Sequence, residues 1–439
     1  MEDWTRRELI GAGVRAGGAA FAVSLSPAAL SAGRILGAND RVRVGLIGSG
    51  GQGRTDLATF LVNKEVDCPI VCDVDDRQAA RAQVMVEEIR GSKPDMVRDF
   101  RRVLDRKDLD AVIVATPDHW HALPTVMACQ AGLDVYVEKP LATSIAEGRA
   151  MVRAMREHKR VVQMGTQWRS SEHCARAVEF IQSGALGKIR FVRCWAYHDW
   201  LGGIGNPPDE KPPADADYDM WLGPARLRPF NPNRFHFNFR WFWDYAGGLM
   251  TDWGVHLINV VLWAMGMEPP KSVSSSGGKY VLDDNSETPD TQIAVYDFPH
   301  YALIWEHQVQ CGVGMNNRPW GMWFSGTEGT LILDDGGWEV ISEPKKETVK
   351  SARYPGSPDA RPAHVRNFLN CMRSRQDPVE HLELGHFVST VAHLGNLALR
   401  SNARILWDPR NEKVVNDRKA DELVGVRYRS PWRLPYYRR

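Results

Sequence analysis

Val42-Arg43-Val44-Gly45-Leu46-Ile47-Gly48-Ser49-Gly50-Gly51-Gln52-Gly53 is the stretch from which the fold can be read. The first six residues read as a buried strand. The next six place glycines in a tight turn, and a helical pattern follows from Arg54 to about Val62. Strand, glycine-rich turn and helix in that order form a dinucleotide-binding fingerprint. Gly48 allows the turn, Gly50 lets the backbone approach a pyrophosphate, and Gly53 lets the helix pack close to the strand. The helix N-terminus then offers free N–H groups and a positive dipole end to phosphates. Many glycine-rich loops share this spacing, so the chain on either side has to decide.

Downstream, Ile70-Val71-Cys72 ends in Asp73. A carboxylate at this place can accept both ribose hydroxyls of an adenosine and repel a 2′-phosphate, which favours NAD over NADP. The same aspartate, with Asp75 and Asp76, could instead cap a helix starting near Arg77, and Arg77 could tolerate a phosphate, so NADP stays open. Ala111–Ala115 is a continuous apolar run, the mark of a parallel strand covered on both faces. It leads into Thr116-Pro117-Asp118-His119-Trp120-His121 and a helix that stops at Gly132. Strand Asp134–Val137 precedes Glu138-Lys139-Pro140, helix Ser144–His158 follows, and strand Val161–Met164 closes the series. This alternation predicts a doubly wound α/β sheet with ligands at the C-terminal strand ends, where Thr116, Glu138 and Lys139 stand.

The 439 residues make room for two or three domains. With 55 Lys+Arg against 54 Asp+Glu, the chain lacks the basic excess of a nucleic-acid binder. No apolar run is long enough to span a bilayer. Seven scattered cysteines without zinc spacing predict free thiols and no metal. Thr5-Arg6-Arg7-Glu8-Leu9-Ile10 and the Gly/Ala-rich stretch to about Ala32 read as a twin-arginine signal peptide over 1–32. That placement makes the protein periplasmic or secreted. The other reading, a chance arginine pair on a short helix or tail, leaves it cytoplasmic.

From about Gly165 the pattern changes, which divides the chain into 40–165, 166–402 and an extension over 403–439. Ile189–Ala196 reads as a strand, and Gly202–Asp219 as a long surface loop. Phe235–Trp243 alternates aromatics at period two, as an extended segment with one aromatic face would. It is either core or a wall that stacks on sugar rings, a use that 16 tryptophans permit. Leu249 to about Met265 reads as one helix carrying Asp252 and His256, one turn apart on one face. Helices are expected at His364–Arg375 and Leu384–Arg400, both packed on the second sheet, with His364 and His393 structural.

Gly48–Gly53, Ala115–His121 and Glu138-Lys139-Pro140 together resemble the glucose–fructose oxidoreductase / inositol dehydrogenase (Gfo/Idh/MocA) family, over about residues 40–400, in its secreted bacterial branch. The resemblance implies an N-terminal Rossmann domain and a C-terminal α/β domain with a large open, mostly antiparallel sheet. It implies NAD(P)-dependent oxidation or reduction of a sugar, glycoside or polyol, and a homo-oligomer paired through the open sheet face. The implied cofactor residues are Gly48, Ser49, Gly50, Gly51, Gln52, Gly53, Asp73, Thr116, Pro117, His119, Trp120, His121, Glu138, Lys139 and Gln167. Lys139, Asp252 and His256 match its catalytic positions: His256 takes the hydroxyl proton, Asp252 orients His256, and Lys139 holds the oxygen. Trp168, Arg169, His198, Trp243 and Tyr245, with Asp252 and His256, are the substrate candidates. Two other readings stand beside this one: an NAD-dependent glycosidase or lyase that oxidises a sugar hydroxyl transiently, and a non-enzymatic sugar-binding protein. Lys139 weighs against the glycosidase branch, where a small apolar residue replaces it.

Overall fold

A computed structural model describes residues 41–346 and 348–437. The signal-peptide expectation for 1–32 lies outside the described residues. Six parallel strands form the first sheet: β1 (Val42–Ile47), β2 (Val66–Cys72), β3 (Asp95–Val97), β4 (Ala111–Val114), β5 (Asp134–Val137) and β6 (Val162–Met164). Their order is β3-β2-β1-β4-β5-β6, the doubly wound arrangement that the alternating pattern predicts. The order reverses at β1, and the crevice between β1 and β4 opens there. The turn after β1 runs directly into helix α1 (Gly51–Leu61).

The second sheet has ten strands: β7 (Phe191–His198), β8 (Ser272–Gly278), β9 (Thr291–Asp297), β10 (Ala302–Val309), β11 (Trp320–Ser325), β12 (Gly329–Asp334), β13 (Gly337–Ser342), β14 (Ala352–Pro355), β15 (Ile405–Asp408) and β16 (Lys413–Val414). They lie in the order β14-β13-β12-β11-β7-β10-β9-β8-β15-β16, and only β7 and β10 are parallel neighbours. Alternate residues of one face (Cys194, Met322, Leu333, Trp338, Tyr296) join the core with helices Gly254–Met265 and Leu382–Ser401. The other face leaves Ile293, Val295, Ile341 and Leu406 exposed.

Four local expectations are corrected. Phe235–Trp243 is not extended: His236–Trp241 is a 3₁₀ turn, because no strand pairs with it and its amides close locally, as in Phe242 N–H to Phe239 O at 3.1 Å. The helix expected over Leu249–Met265 is two, Gly248–Asp252 and Gly254–Met265, with Trp253 between them. Helix Arg361–Ser374 packs on the first domain, not the second sheet; Phe368 meets Phe60 and Tyr136 at ring-centroid distances of 6.0 and 5.9 Å. Val365, Phe368, Leu369 and Met372 make one apolar stripe, which fits the face of α1. The loop from Gly202 does more than cover surface. Asp75 bridges Ala216, and Asp217 N–H donates to Val74 O at 2.8 Å, so this loop is stitched to the end of β2.

Candidate active site

A cleft of about 520 Å³ lies at the C-terminal ends of β1, β2, β4 and β5, and the second domain closes its far side. Its floor follows from the glycines. Gly48 has φ 93°, and a Cβ there would lie 2.5 Å from Ala115 O. A Cβ on Gly53 would lie 1.9 Å from Gly48 O, so only glycine lets α1 start this close to β1. Gly50 and Gly51 face open space in the cleft. No side chain caps α1, which leaves its first N–H groups for a ligand.

Asp73 stands at the β2 end. Its carboxylate accepts from Ser49 N–H (2.7 Å) and Asp75 N–H (2.9 Å). Burial pushes the group up to about 6, against the pull of those two amides. Arg77, the cation expected near a 2′-phosphate, instead pairs with Asp75 (3.1 Å) and Asp215 (2.9 Å) and does not line the cleft. The guanidinium groups that do line it are Arg54, Arg81, Arg98 and Arg240. Arg54 is held by Ser49 O at 2.6 Å and Gln78 Oε1 at 2.7 Å.

At the other end, Thr116, Pro117, Trp120, His121, Glu138 and Lys139 all line the cleft. His121 ties two loops together, with Nδ1 2.7 Å from Pro140 O and Nε2 2.9 Å from Thr116 O. His119 is buried outside the lining, its Nε2 2.9 Å from Trp221 O. Gln167 opens a 3₁₀ turn after β6 and is absent from the lining. Burial raises Glu138 to about 7, and it drives the neighbouring Asp56 up as well. Gln52 lines the cleft and donates to Asp56 Oδ1 at 2.8 Å.

Lys139 Nζ donates to Asp252 Oδ1 at 2.7 Å and to Asp252 O at 2.9 Å. Arg240 Nε donates to the same Oδ1 at 3.3 Å. Burial alone would raise the Asp252 carboxyl, but Lys139 and Arg240 outweigh it and hold the group well below the usual carboxylate range. Burial, then Lys139, pushes His256 down to about 3, so the imidazole is neutral near pH 7. Its Nδ1 has no partner among the described residues. Here the structure corrects the expected relay: Asp252 makes its bonds to Lys139 and Arg240 and none to His256. Two cations outcompete a neutral ring for one carboxylate.

Trp168 and Trp253 flank His256, at ring distances of 6.2 and 6.5 Å. His198 is buried against Trp253 (4.4 Å) and Trp200 (5.3 Å), and neither ring nitrogen has a partner among the described residues. None of the seven substrate candidates lines the cleft itself, and three of them are engaged elsewhere. Arg169 is buried, bonded to Asn259 Oδ1 (2.6 Å) and Glu380 Oε2 (3.1 Å), so its guanidinium is already used. Trp243 stacks on Arg400 at 4.7 Å. Tyr245 is fully buried beside Trp221 and His119. Conversely, Arg240 and Asp118 line the site and were not singled out in the sequence. The Phe237-Asn238-Phe239-Arg240 run held the signal: the 3₁₀ turn sets the Arg240 guanidinium over both rings, at 4.7 and 4.8 Å. His364 and His393 bond the carbonyls of Met164 and Ala142. All seven cysteines are unpaired. Among the described residues no cluster of His, Cys, Asp or Glu is placed to hold a metal.

A glycine turn opening on a cleft, a carboxylate at one end and a lysine–aspartate pair at the other define a two-domain dinucleotide-binding protein. The chain belongs to the Gfo/Idh/MocA family: residues 42–166 match its model "Oxidoreductase family, NAD-binding Rossmann fold", and 184–300 with 340–434 match "Oxidoreductase family, C-terminal alpha/beta domain". It is 33% identical over 109 residues to levoglucosan dehydrogenase of Pseudarthrobacter phenanthrenivorans, 25% of this chain and 28% of that protein. It is 30% identical over 166 residues to a glycosyl hydrolase family 109 protein of Saccharopolyspora erythraea, 37% of this chain and 36% of the relative. These alignments therefore span well under half of either relative. Among solved structures, a levoglucosan dehydrogenase in complex with NADH and levoglucosan superposes with a TM-score of 0.65 at 17% identity, covering 84% of this chain and 99% of that one.

Proposed function

We propose that this protein is an NAD-dependent oxidoreductase acting on a CH–OH group of a sugar, glycoside or polyol. The observation that carries the reading is Lys139, which lines the cleft whose other end holds Asp73 and is paired from behind with Asp252 at 2.7 Å. The residues fit a dinucleotide. Gly50 and Gly51 leave room for a pyrophosphate beside uncapped N–H groups, and Asp73 offers ribose hydroxyls an acceptor. When bound, the nicotinamide supplies a hydride acceptor.

The chain's own groups handle the oxygen and the proton. An ammonium has three donors and no acceptor. Two of Lys139's donors are used on Asp252, and the third is left for the substrate oxygen, where it stabilises developing negative charge. With the Lys139 donors directed to Asp252 and to the substrate oxygen, His256, a neutral ring whose Nδ1 has no partner among the described residues, is the group left to accept the hydroxyl proton. Asp252 holds Lys139 in place through two hydrogen bonds. Trp168 and Trp253 offer rings to the apolar face of a sugar.

The proposal extends to an exported protein, on the Arg6-Arg7 segment, that keeps its nucleotide bound and recycles it, because a cofactor released outside the cytoplasm would not be replenished. The exposed Ile293, Val295 and Ile341 support a homo-oligomer joined through the open sheet face. A transient oxidation–reduction cycle ending in glycoside cleavage is the second reading, favoured by the family 109 relative and opposed by Lys139. The experiment is mass spectrometry of the purified protein for bound nucleotide, then incubation with sugars, polyols and glycosides. Reduction of bound NAD by a sugar or polyol supports the dehydrogenase. Glycoside cleavage without net reduction selects the second reading. No nucleotide bound or bindable, and no product from any member, refutes both.

A further inference from the structure

The wall of the cleft beside Trp120 comes from the second domain. Met220 and Trp221 sit on the short helix Tyr218–Leu222 and line the cleft. Trp120 Nε1 donates to Trp221 O at 2.9 Å and Met220 O at 3.1 Å. At Gly223, where φ is +49°, a Cβ would lie 2.1 Å from the Trp120 ring, so the turn and the ring are in direct contact. A five-residue helix has no stability of its own. Its position depends on what holds it from behind.

Asp217 ties the start of the helix to Val74, while His119 and Tyr245 meet Trp221; a segment near the C-terminus holds its other end. Arg429 Nη1 donates to Asp219 Oδ1 (2.6 Å), Nη2 to Asp219 O (2.9 Å), Nε to Gly223 O (3.0 Å) and its backbone N–H to Pro224 O (2.8 Å). One residue thus meets three carbonyls and a carboxylate of the turn, a use that suits the rigid guanidinium fork. The Arg429 side chain is 19% exposed although Asp219 is 74% exposed, so the guanidinium lies under the turn rather than out in solvent. Trp432 packs edge-on against Trp120 at 4.9 Å, and Arg101 lies over Trp432 at 5.6 Å. Tyr428 OH, bonded to Glu147 at 2.7 Å, fastens the segment to the first domain.

We propose that Arg429 and Trp432 are positioning residues of the dinucleotide site: they latch the 218–224 turn onto Trp120 and set how long bound nucleotide stays. The proposal rests on the nucleotide reading above. On this proposal, nucleotide leaves past the wall that Met220, Trp221 and Trp120 form, and movement of the turn away from Trp120 is the step that the latch opposes. Removing the fork takes its donors from the Asp219 carboxylate and from the carbonyls of Asp219 and Gly223, while the backbone bond to Pro224 O stays, and lowers the barrier to that motion.

The test is a displacement measurement on the full chain. Protein loaded with NADH is mixed with excess NAD, and the loss of bound-NADH fluorescence gives the release rate. Arg429→Ala and Trp432→Ala should each release about tenfold faster or more, and Arg429→Lys, which keeps the charge but loses the fork, should fall between. Arg418→Ala, whose partner Glu422 lies on the same exposed helix, should match the wild type. If Arg429→Ala does not fold, Arg429→Lys and Trp432→Phe carry the test. Release within twofold of wild type in folded variants overturns the latch, and so does a lowered melting temperature with an unchanged release rate. Failure of the wild type to bind NADH at all overturns the nucleotide reading itself and the latch with it.

Discussion

Acidification from about pH 8 to about pH 5 should weaken binding of ADP-ribose through one carboxyl group, Asp73. This residue accepts two backbone N–H bonds, yet burial pushes it up to about 6. Ribose hydroxyls need an acceptor, so the ionised form is the binding form. At about pH 8 nearly all of it is ionised; at about pH 5 only about one part in eleven is, and the apparent affinity falls by roughly tenfold. Glu138, raised to about 7, and Asp118, raised by burial, also line the cleft; protonating either removes negative charge near the phosphates and acts in the opposite direction, in wild type and Asp73→Asn alike. His236 also lines the cleft, and burial holds it below the ordinary histidine range. Its protonation would add positive charge beside the phosphates, which acts in the opposite direction. Calorimetric titration of wild type and Asp73→Asn across this range is the assay. The variant should bind weakly with little pH dependence, and should favour NADP relative to NAD, since Arg54, Arg81 and Arg98 remain. A flat wild-type profile, or an equal slope in Asp73→Asn, refutes the argument.

Three further outcomes are expected. Lys139→Met should lower turnover about 10²-fold or more with nucleotide affinity nearly unchanged, because the donor to the developing alkoxide is lost while the glycine turn is untouched; stopped-flow reduction of bound NAD measures it. Trp253→Ala should raise KM for the carbohydrate, whereas Trp243→Ala should leave it alone, since Trp243 stacks on Arg400 away from the cleft; steady-state kinetics on both variants decides. Glu412 pairs with Arg149 and with His386 at 2.8 Å, and these partners outweigh burial to pull its carboxyl down to about 2. A lowered folded value gives stability that is present above the unfolded value near 4.5 and is lost as pH falls toward about 2. Glu412→Gln should therefore cost about 1–2 kcal/mol near neutrality after solvent screening, with the two melting curves converging in acid.

Local order was legible in the sequence wherever one segment dictates its own conformation. The Gly48–Gly53 turn works through steric limits that neighbouring residues impose, and the continuous apolar strands report burial on both faces. The first sheet, the position of Asp73 and the placement of Lys139 at a strand end follow from such signals. Period two in Phe235–Trp243 did not make a strand, because extended backbone needs a partner and none reaches that segment. Asp252 and His256 read as one turn of a single helix, but they stand on two helices on either side of Trp253, and their partners come from elsewhere. Lys139 arrives from 113 residues away, and Arg240 from a 3₁₀ turn. Both cations compete for one carboxylate, and an i,i+4 spacing cannot report that competition. Arg169, Trp243 and Tyr245 show the same limit: residue type suggested ligand contacts, but the partners that occupy them, Glu380, Arg400 and Trp221, are distant in the chain. Backbone conformation and burial are written in short-range pattern. Which charged or aromatic group is left free for a ligand depends on long-range pairing, and only the tertiary structure decided that.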